Sequence, residues 1–191
     1  MLRRIVLSSL LLVASLPAVA ATQKYAIDPN HTQVRFTWNH FGFSNPSATL
    51  ENLTGFLMLD TADLTKSSVS VSMPLSGLHT GVAKLDEHLK SPAFFDAAKY
   101  PEITFNSTKV EQAGKDELKV TGNLTAHGVS HAVTLRVHVN KIGQNPMMKA
   151  PAAGFEADTT LKRSDFGVGA YVPMVSDEIR VHITLDSHPA K

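Results

Sequence analysis

Period-two alternation runs through most of this chain and restricts its fold more than any other feature. From Gln33 to His40, the residues Val34, Phe36, Trp38 and His40 share one face, while Gln33, Arg35, Thr37 and Asn39 share the other. Successive side chains on a strand point to opposite sides, so such a segment buries one face and wets the other. Val69, Val71 and Met73 alternate with serines, and Ile103 and Phe105 alternate with Thr104 and Asn106. Leu118, Val120 and Leu124 share a face across Gly122. The pattern returns in Val133 to Asn140, in Phe155 to Lys162 and in Glu178 to Leu185. Between Ala48 and Asp60 it is less regular, with Leu50, Leu53, Phe56 and Met58 as the apolar positions. Turn-forming clusters separate the segments, among them Ser44-Asn45-Pro46, Ala113-Gly114-Lys115-Asp116 and Gly143-Gln144-Asn145-Pro146. Half-buried strands joined by short turns predict an all-β, antiparallel barrel or sandwich.

One segment breaks the alternation. In Gly81 to Lys90, the residues Val82, Leu85 and Leu89 are spaced for one helical face. Thr80 is placed to cap the start, and Pro92 ends the run before Phe94-Phe95. A short helix and an aromatic pair between strands suit a lid over a barrel mouth. The expected place of this helix is after the fourth strand.

Residues 1–21 read as a signal peptide. Arg3 and Arg4 precede an apolar stretch from Ile5 to Leu16, and Ala18-Val19-Ala20 offers a small-x-small cleavage site. The stretch is shorter than the roughly 20 apolar residues that span a bilayer, and no later run is longer. The mature protein is then one domain, residues 22–191, exported to a compartment without nucleotide pools. Binding, transport or hydrolysis are the functions that suit that setting. Lys and Arg total 18 against 17 Asp and Glu, so loss of Arg3 and Arg4 leaves a balance of −1. No basic block stands out, which argues against nucleic acid as a partner. Cysteine is absent, which excludes disulfides, thiol catalysis and thiolate metal sites.

The order of motifs resembles the YceI-like proteins, lipocalin-like barrels associated with polyisoprenoid binding. Tyr25-Ala26-Ile27-Asp28 is followed by His31, Val34, Phe36 and His40, then by Gly55 ahead of Asp60. The longest match runs from Leu85-Asp86-Glu87-His88-Leu89-Lys90-Ser91 through Phe94-Phe95-Asp96 to Tyr100-Pro101-Glu102-Ile103-Thr104-Phe105. Gly122-Asn123-Leu124-Thr125, Lys162-Arg163-Ser164-Asp165-Phe166-Gly167 and Val175-Ser176-Asp177-Glu178-Ile179 complete it. Residues Phe41 to Asn52 depart from the pattern, with Pro46 and a polar run in place of a more aliphatic stretch. The resemblance implies an antiparallel, lipocalin-like β-barrel of about eight strands with one short helix. It implies a periplasmic location and an apolar tunnel for a polyisoprenoid or isoprenoid quinone. Neither catalysis nor a resident cofactor is implied.

The ligand-binding residues expected from this reading are Phe36, Trp38, His40, Phe56, Met58, Phe94, Phe95, Phe105, Phe166 and Tyr171, with Leu85 and Leu89 in the lid. Burying a prenyl or acyl chain stabilises by about 0.8 kcal/mol per CH₂, so roughly ten such groups contribute about 8 kcal/mol gross. The same residues also suit a solid core, in which case the barrel acts through its outer surface, as a homodimer or with another protein. Met147, Met148 and Met174 lie in loops that suit either an entrance or ordinary packing. His40 reads either as a head-group contact or as a hydrogen-bonded core histidine. His127 and His131 are about 13 Å apart if both lie on one strand, so a zinc site there needs a turn at His127-Gly128. Arg163 and Asp165 are expected to form an ion pair that closes the barrel. A hydrolase lacks its usual marks here, since there is neither a Gly-x-Ser-x-Gly elbow nor a cysteine.

Overall fold

The alternating segments form strands, and every strand pairing is antiparallel. The computed structural model describes residues 22–190; the signal-peptide reading falls on residues 1–21, outside them. The strands are β1 (Gln23–Ile27), β2 (Gln33–Thr37), β3 (Ser47–Leu50), β4 (Thr54–Leu59), β5 (Ser68–Pro74), β6 (Leu78–His79), β7 (Glu102–Gln112), β8 (Glu117–Ala126), β9 (Val129–Asn145), β10 (Ala150–Lys162) and β11 (Glu178–Pro189). One α-helix, α1 (Ala83–Lys90), stands among the described residues.

Six of these strands are halves of three longer ones. β1 and β2 lie end to end on one edge of β11, with Ile27 opposite Ser187 and Gln33 opposite Thr184. β3 and β4 run end to end against them, with Leu50 opposite Val34 and Phe56 opposite Ala26. β5 and β6 continue the series, interrupted by the 3-10 turn Leu75–Gly77. Together with β7 to β11 they give eight staves, and β1 against β11 closes the barrel. Eight strands leave an interior just wide enough for side chains or one slim ligand.

The interruptions decide which side chains point inward. Leu50 and Leu53 are both buried, and so are Leu57 and Leu59, so the inward phase changes from even to odd numbers. The change occurs at Asn52, whose φ of 59° lies in the left-handed region. An extra residue in a strand re-aims everything beyond it. Phe56 and Met58 therefore face outward, contrary to the expectation that they line the interior. The Lys24 ammonium sits 4.4 Å from the centre of the Phe56 ring on the barrel's outer face.

Two glycines are explained by close approaches. A Cβ on Gly55, where φ is 147°, would lie 2.1 Å from the Ser70 carbonyl oxygen of β5. One on Gly122 would lie 2.5 Å from the Phe105 ring, so Gly122 makes room for that ring across the β7–β8 pair.

The helix follows the third stave and precedes the fourth, one strand earlier than expected. Val82 takes the cap position without a side-chain bond. Thr80 instead ties the segment down: its hydroxyl donates to Asp86 Oδ1 at 2.5 Å and its N–H to the same oxygen at 2.7 Å. Leu89 is buried and Leu85 half-buried, whereas Val82 is exposed. At the opposite end of the barrel, the 3-10 turn Leu64–Lys66 carries Leu64 against the core.

Replacing Gly55 with alanine must push β4 and β5 apart. We expect Gly55→Ala to destabilise the fold by about 2 kcal/mol or more, a fall in Tm of roughly 4–8 °C by thermal unfolding. A Tm within one degree of the parent contradicts this account of the β4–β5 contact.

Acid should loosen the helix before the barrel. The bond from the Thr80 hydroxyl is the largest influence holding the Asp86 carboxyl below its ordinary value of 3.8. A group held low contributes its full stabilisation above the ordinary value and loses it as pH falls through the folded value. Amide exchange in residues 79–90 should accelerate below pH 3.8 while β8 and β9 stay protected. Asp86→Asn should exchange fast at every pH and abolish that dependence.

Candidate functional site

The inward faces do not meet in the middle. They enclose a cavity of about 440 Å³ inside the barrel, within the roughly 300–1,000 Å³ of small-molecule sites. Packing defects cost about 24 cal/mol per Å³, so a gap of this size would forgo about 10 kcal/mol, comparable with the whole net stability of a domain. A chain that needed only a core would close it with larger side chains. Small inward residues, Ala126 and Ala157, line the wall instead.

Of the twelve expected site residues, Phe36, Trp38, His40, Leu85, Leu89, Phe94, Phe95, Phe105, Phe166 and Tyr171 line the cavity. Phe56 and Met58 do not, for the reason of phase given above. The wall also takes aliphatic residues that no single motif marks, such as Val71, Leu135, Val133 and Ile183. Their signal is the alternation itself, spread over every stave.

The mouth is built at the end of the barrel that carries α1. His88 of α1 packs edge-on against Phe94, ring centres 4.9 Å apart, and Tyr171 lies 6.1 Å from Phe94 and 6.4 Å from His88. These three rings join the helical segment to the loop before β11. That loop is stitched in turn to the loop after β2. The Phe41 N–H donates to the Met174 carbonyl at 2.9 Å, the Ser176 N–H to the Asn39 carbonyl at 3.0 Å, and the Asn39 N–H to Ser176 Oγ at 2.9 Å.

His40 belongs to this stitching. It makes isolated bridges to Ser44 and Val175, and its ring stacks edge-on at 4.6 Å on Phe41. It is exposed at the mouth, so it is not a core histidine. β2 ends at Thr37, and the chain has left strand geometry before the fourth member of the alternating set.

Arg163 is the buried cation of the site, 8 % exposed. It does not pair with Asp165, which is exposed. Its guanidinium donates to three backbone carbonyls: Nε to Ser176 at 2.8 Å, Nη1 to Val168 at 2.6 Å and Nη2 to Val175 at 2.8 Å. The planar fork of five donors suits such convergent carbonyls. Burial lowers the Arg163 pKa, and the nearby Asp177 charge opposes that shift. Asp177 accepts from the Ser164 N–H at 2.9 Å and the Ser164 hydroxyl at 2.7 Å. Burial pushes its carboxyl upward, and the Ser164 bonds and the Arg163 charge outweigh this to hold it low. The expected ion pair is thus replaced by an arginine that shapes the loop directly.

The remaining candidates separate. His127 and His131 both pack around Phe166: His127 Nδ1 lies 3.3 Å from its carbonyl oxygen, and the His131 ring 5.3 Å from its ring. Met147 and Met148 project from the β9–β10 turn at the opposite end, and Met174 is exposed at the mouth end; none lines the cavity. Among the described residues, Asp28, His31 and Asp186 bring three metal-type donors within 4.8 Å of one another. His31 Nδ1 is 2.7 Å from Asp28 Oδ2, and that bond is the main cause of the lowered Asp28 pKa. Nothing in the sequence pairs Asp186 with them; only the β1–β11 register does so.

An apolar cavity inside a barrel, open to solvent and with polar groups at its mouth, can hold a long hydrocarbon and orient one end of it. Known proteins share this architecture. Protein YceI of Salmonella arizonae is 34% identical over 169 residues, which is 88% of this chain and 87% of that protein. The crystal structure of BcnA from Burkholderia cenocepacia superposes with a TM-score of 0.76 at 23% identity, covering 84% of this chain and 98% of that one. A polyisoprenoid binding domain from Saccharophagus degradans, implicated in plant cell wall breakdown, superposes with a TM-score of 0.69 at 14% identity, covering 87% and 98%. The sequence pattern of the YceI-like domain matches residues 25–187, and the chain belongs to the YceI-like family.

Proposed function

We propose that this protein is a periplasmic carrier of one long apolar molecule, a polyisoprenoid or isoprenoid quinone, which it holds without chemical change. The observation that supports this most is the 440 Å³ apolar cavity within a closed barrel. Relatives of the same fold add to it, since the Saccharophagus domain is described as polyisoprenoid binding. A cargo bound through roughly ten methylene groups gains about 8 kcal/mol from leaving water, less the ordering of a flexible chain. Micromolar binding needs about 8 kcal/mol net, so a cargo reaches it without a hydrogen bond by burying more than roughly ten such groups. His88 and Tyr171 at the mouth supply polar atoms for a hydroxyl or quinone carbonyl, and the α1 segment with its aromatic pair serves as the lid. Export by the N-terminal signal places the protein beside the membranes that contain such molecules.

Native mass spectrometry on protein purified from its host should show a second species heavier by the mass of one lipid, recoverable by solvent extraction. Val71→Trp places an indole inside the wall without touching the mouth. It should weaken uptake of a long-tailed isoprenoid quinone at least tenfold with Tm little changed. A solid core would instead be overpacked and lose about 1–3 kcal/mol. A wild-type protein that is lipid-free and refuses the quinone defeats the proposal.

A further inference from the structure

Eight large apolar side chains are exposed among the described residues, and six of them stand at the mouth: Phe41, Phe43, Val82, Tyr171, Val172 and Met174. They come from three segments far apart in sequence, namely the loop after β2, the start of α1 and the loop before β11. Phe41 and Tyr171 also line the cavity. Apolar surface is therefore continuous from the outer rim to the interior.

The rim is displayed by a fixed turn. Phe43 is 92 % exposed, yet its backbone is held on both sides. Phe41 and Gly42 have φ of 55° and 77°. The Gly42 N–H donates to Asn39 Oδ1 at 2.8 Å, and the Phe43 N–H donates to the His40 carbonyl at 3.0 Å. The bond from Phe41 to Met174 ties this turn to the opposite loop. Left-handed backbone is unfavourable at a phenylalanine, and here several bonds maintain it with the result that an aromatic ring faces solvent.

We infer that this rim docks on the surface of a lipid bilayer, mouth down, and that cargo moves between bilayer and cavity through it. The inference rests on the carrier function proposed above, because the cargo names the surface. A polyisoprenoid resides in bilayers, and each methylene exposed to water in transit slows transfer roughly fourfold. A mouth seated in the interface removes that aqueous step. Aromatic and methionine side chains on a polar body are the residues that settle at such an interface. Charges beside the rim are of both signs, with Lys84 and Glu87 on α1 and Asp165 and Lys162 near the second loop, all exposed. Docking is thus driven by apolar insertion and does not require anionic lipid.

The test uses the mature chain and phosphatidylcholine vesicles. Wild type should float with vesicles at low and high salt alike. The variant Phe43→Asp, Met174→Asp, altered at two exposed positions outside the cavity wall, should lose at least fivefold in bound fraction. It should also move a fluorescent polyprenol between donor and acceptor vesicles about tenfold more slowly. Loading of the same polyprenol from detergent should be unchanged in the variant. A wild type that loads from detergent but ignores vesicles overturns the rim proposal and leaves the carrier function standing. Concentration-dependent dimers that the variant abolishes, without vesicle binding, overturn it in favour of a second copy of this chain. Vesicle binding is measured without cargo, so failure of both proteins to load polyprenol counts against the carrier function separately.

Discussion

The barrel depends on one short seam, the pairing of β1 with the end of β11. Three residue pairs make it: Tyr25 with Pro189, Ala26 with His188, and Ile27 with Ser187. It is extended at its ends by the Ala190 N–H donating to the Lys24 carbonyl and the Asp28 N–H to the Asp186 carbonyl, both at 2.9 Å. Tyr25 and Ile27 are buried there, and the fully buried Ser187 hydroxyl donates to the Ala153 carbonyl at 2.9 Å, tying the seam to β10. Without the seam the sheet has two open edges and no fixed radius. With it, eight staves set the diameter, and side-chain size alone then decides whether the interior fills. The absence of disulfides leaves this closure, and the burial it permits, as the source of rigidity.

The seam also explains why the first stave is broken. β11 is a single strand, but the chain facing it must satisfy both the seam and the β2 pairing. The bulge from Asp28 to Thr32 absorbs the difference in register. Thr32 fastens the bulge, accepting from the Asp186 N–H at 3.1 Å and donating to the Asp186 carbonyl at 3.3 Å. Asp28, His31 and Asp186 meet for the same reason. At the mouth, Arg163 plays the corresponding part by gathering three carbonyls of the loop before β11. One end of the barrel is thus held by backbone pairing and the other by a buried guanidinium.

Legibility followed the physics of the strand. Within uninterrupted runs, as in β5, β8 and β11, alternation alone identified the wall, because one face is in and one is out over the whole run. It failed where an extra residue shifts the phase. Leu50, Leu53, Phe56 and Met58 look like one imperfect face, yet Asn52 divides them, and the true inward pair is Leu57 and Leu59. Past the end of β2 the pattern still brings His40 to the cavity, but at its exposed mouth and not inside the barrel. Side-chain partners were the least legible of all. Arg163 stands two residues from Asp165, so an ion pair is the natural reading, but backbone carbonyls from a later segment are the real acceptors. Such partners are fixed by how loops fold back, and that is decided by the barrel and not by neighbours in the chain.

The segment that departs from the family resemblance, Phe41 to Asn52, has a definite place in this scheme. Its first part is the rim turn with Phe41 and Phe43, and Pro46 lies just before β3, where its carbonyl accepts the Trp38 N–H at 3.2 Å. Its last part, from Ala48 to Leu50, supplies buried wall residues and keeps the β2–β3 register. The polar and proline-containing stretch thus falls between the two, on the mouth and outside the cavity. Wall composition governs what kind of molecule fits, while the mouth governs how it arrives. Under the carrier function proposed above, a barrel that keeps an aliphatic wall and alters its mouth retains the class of cargo and changes the surface from which that cargo is taken.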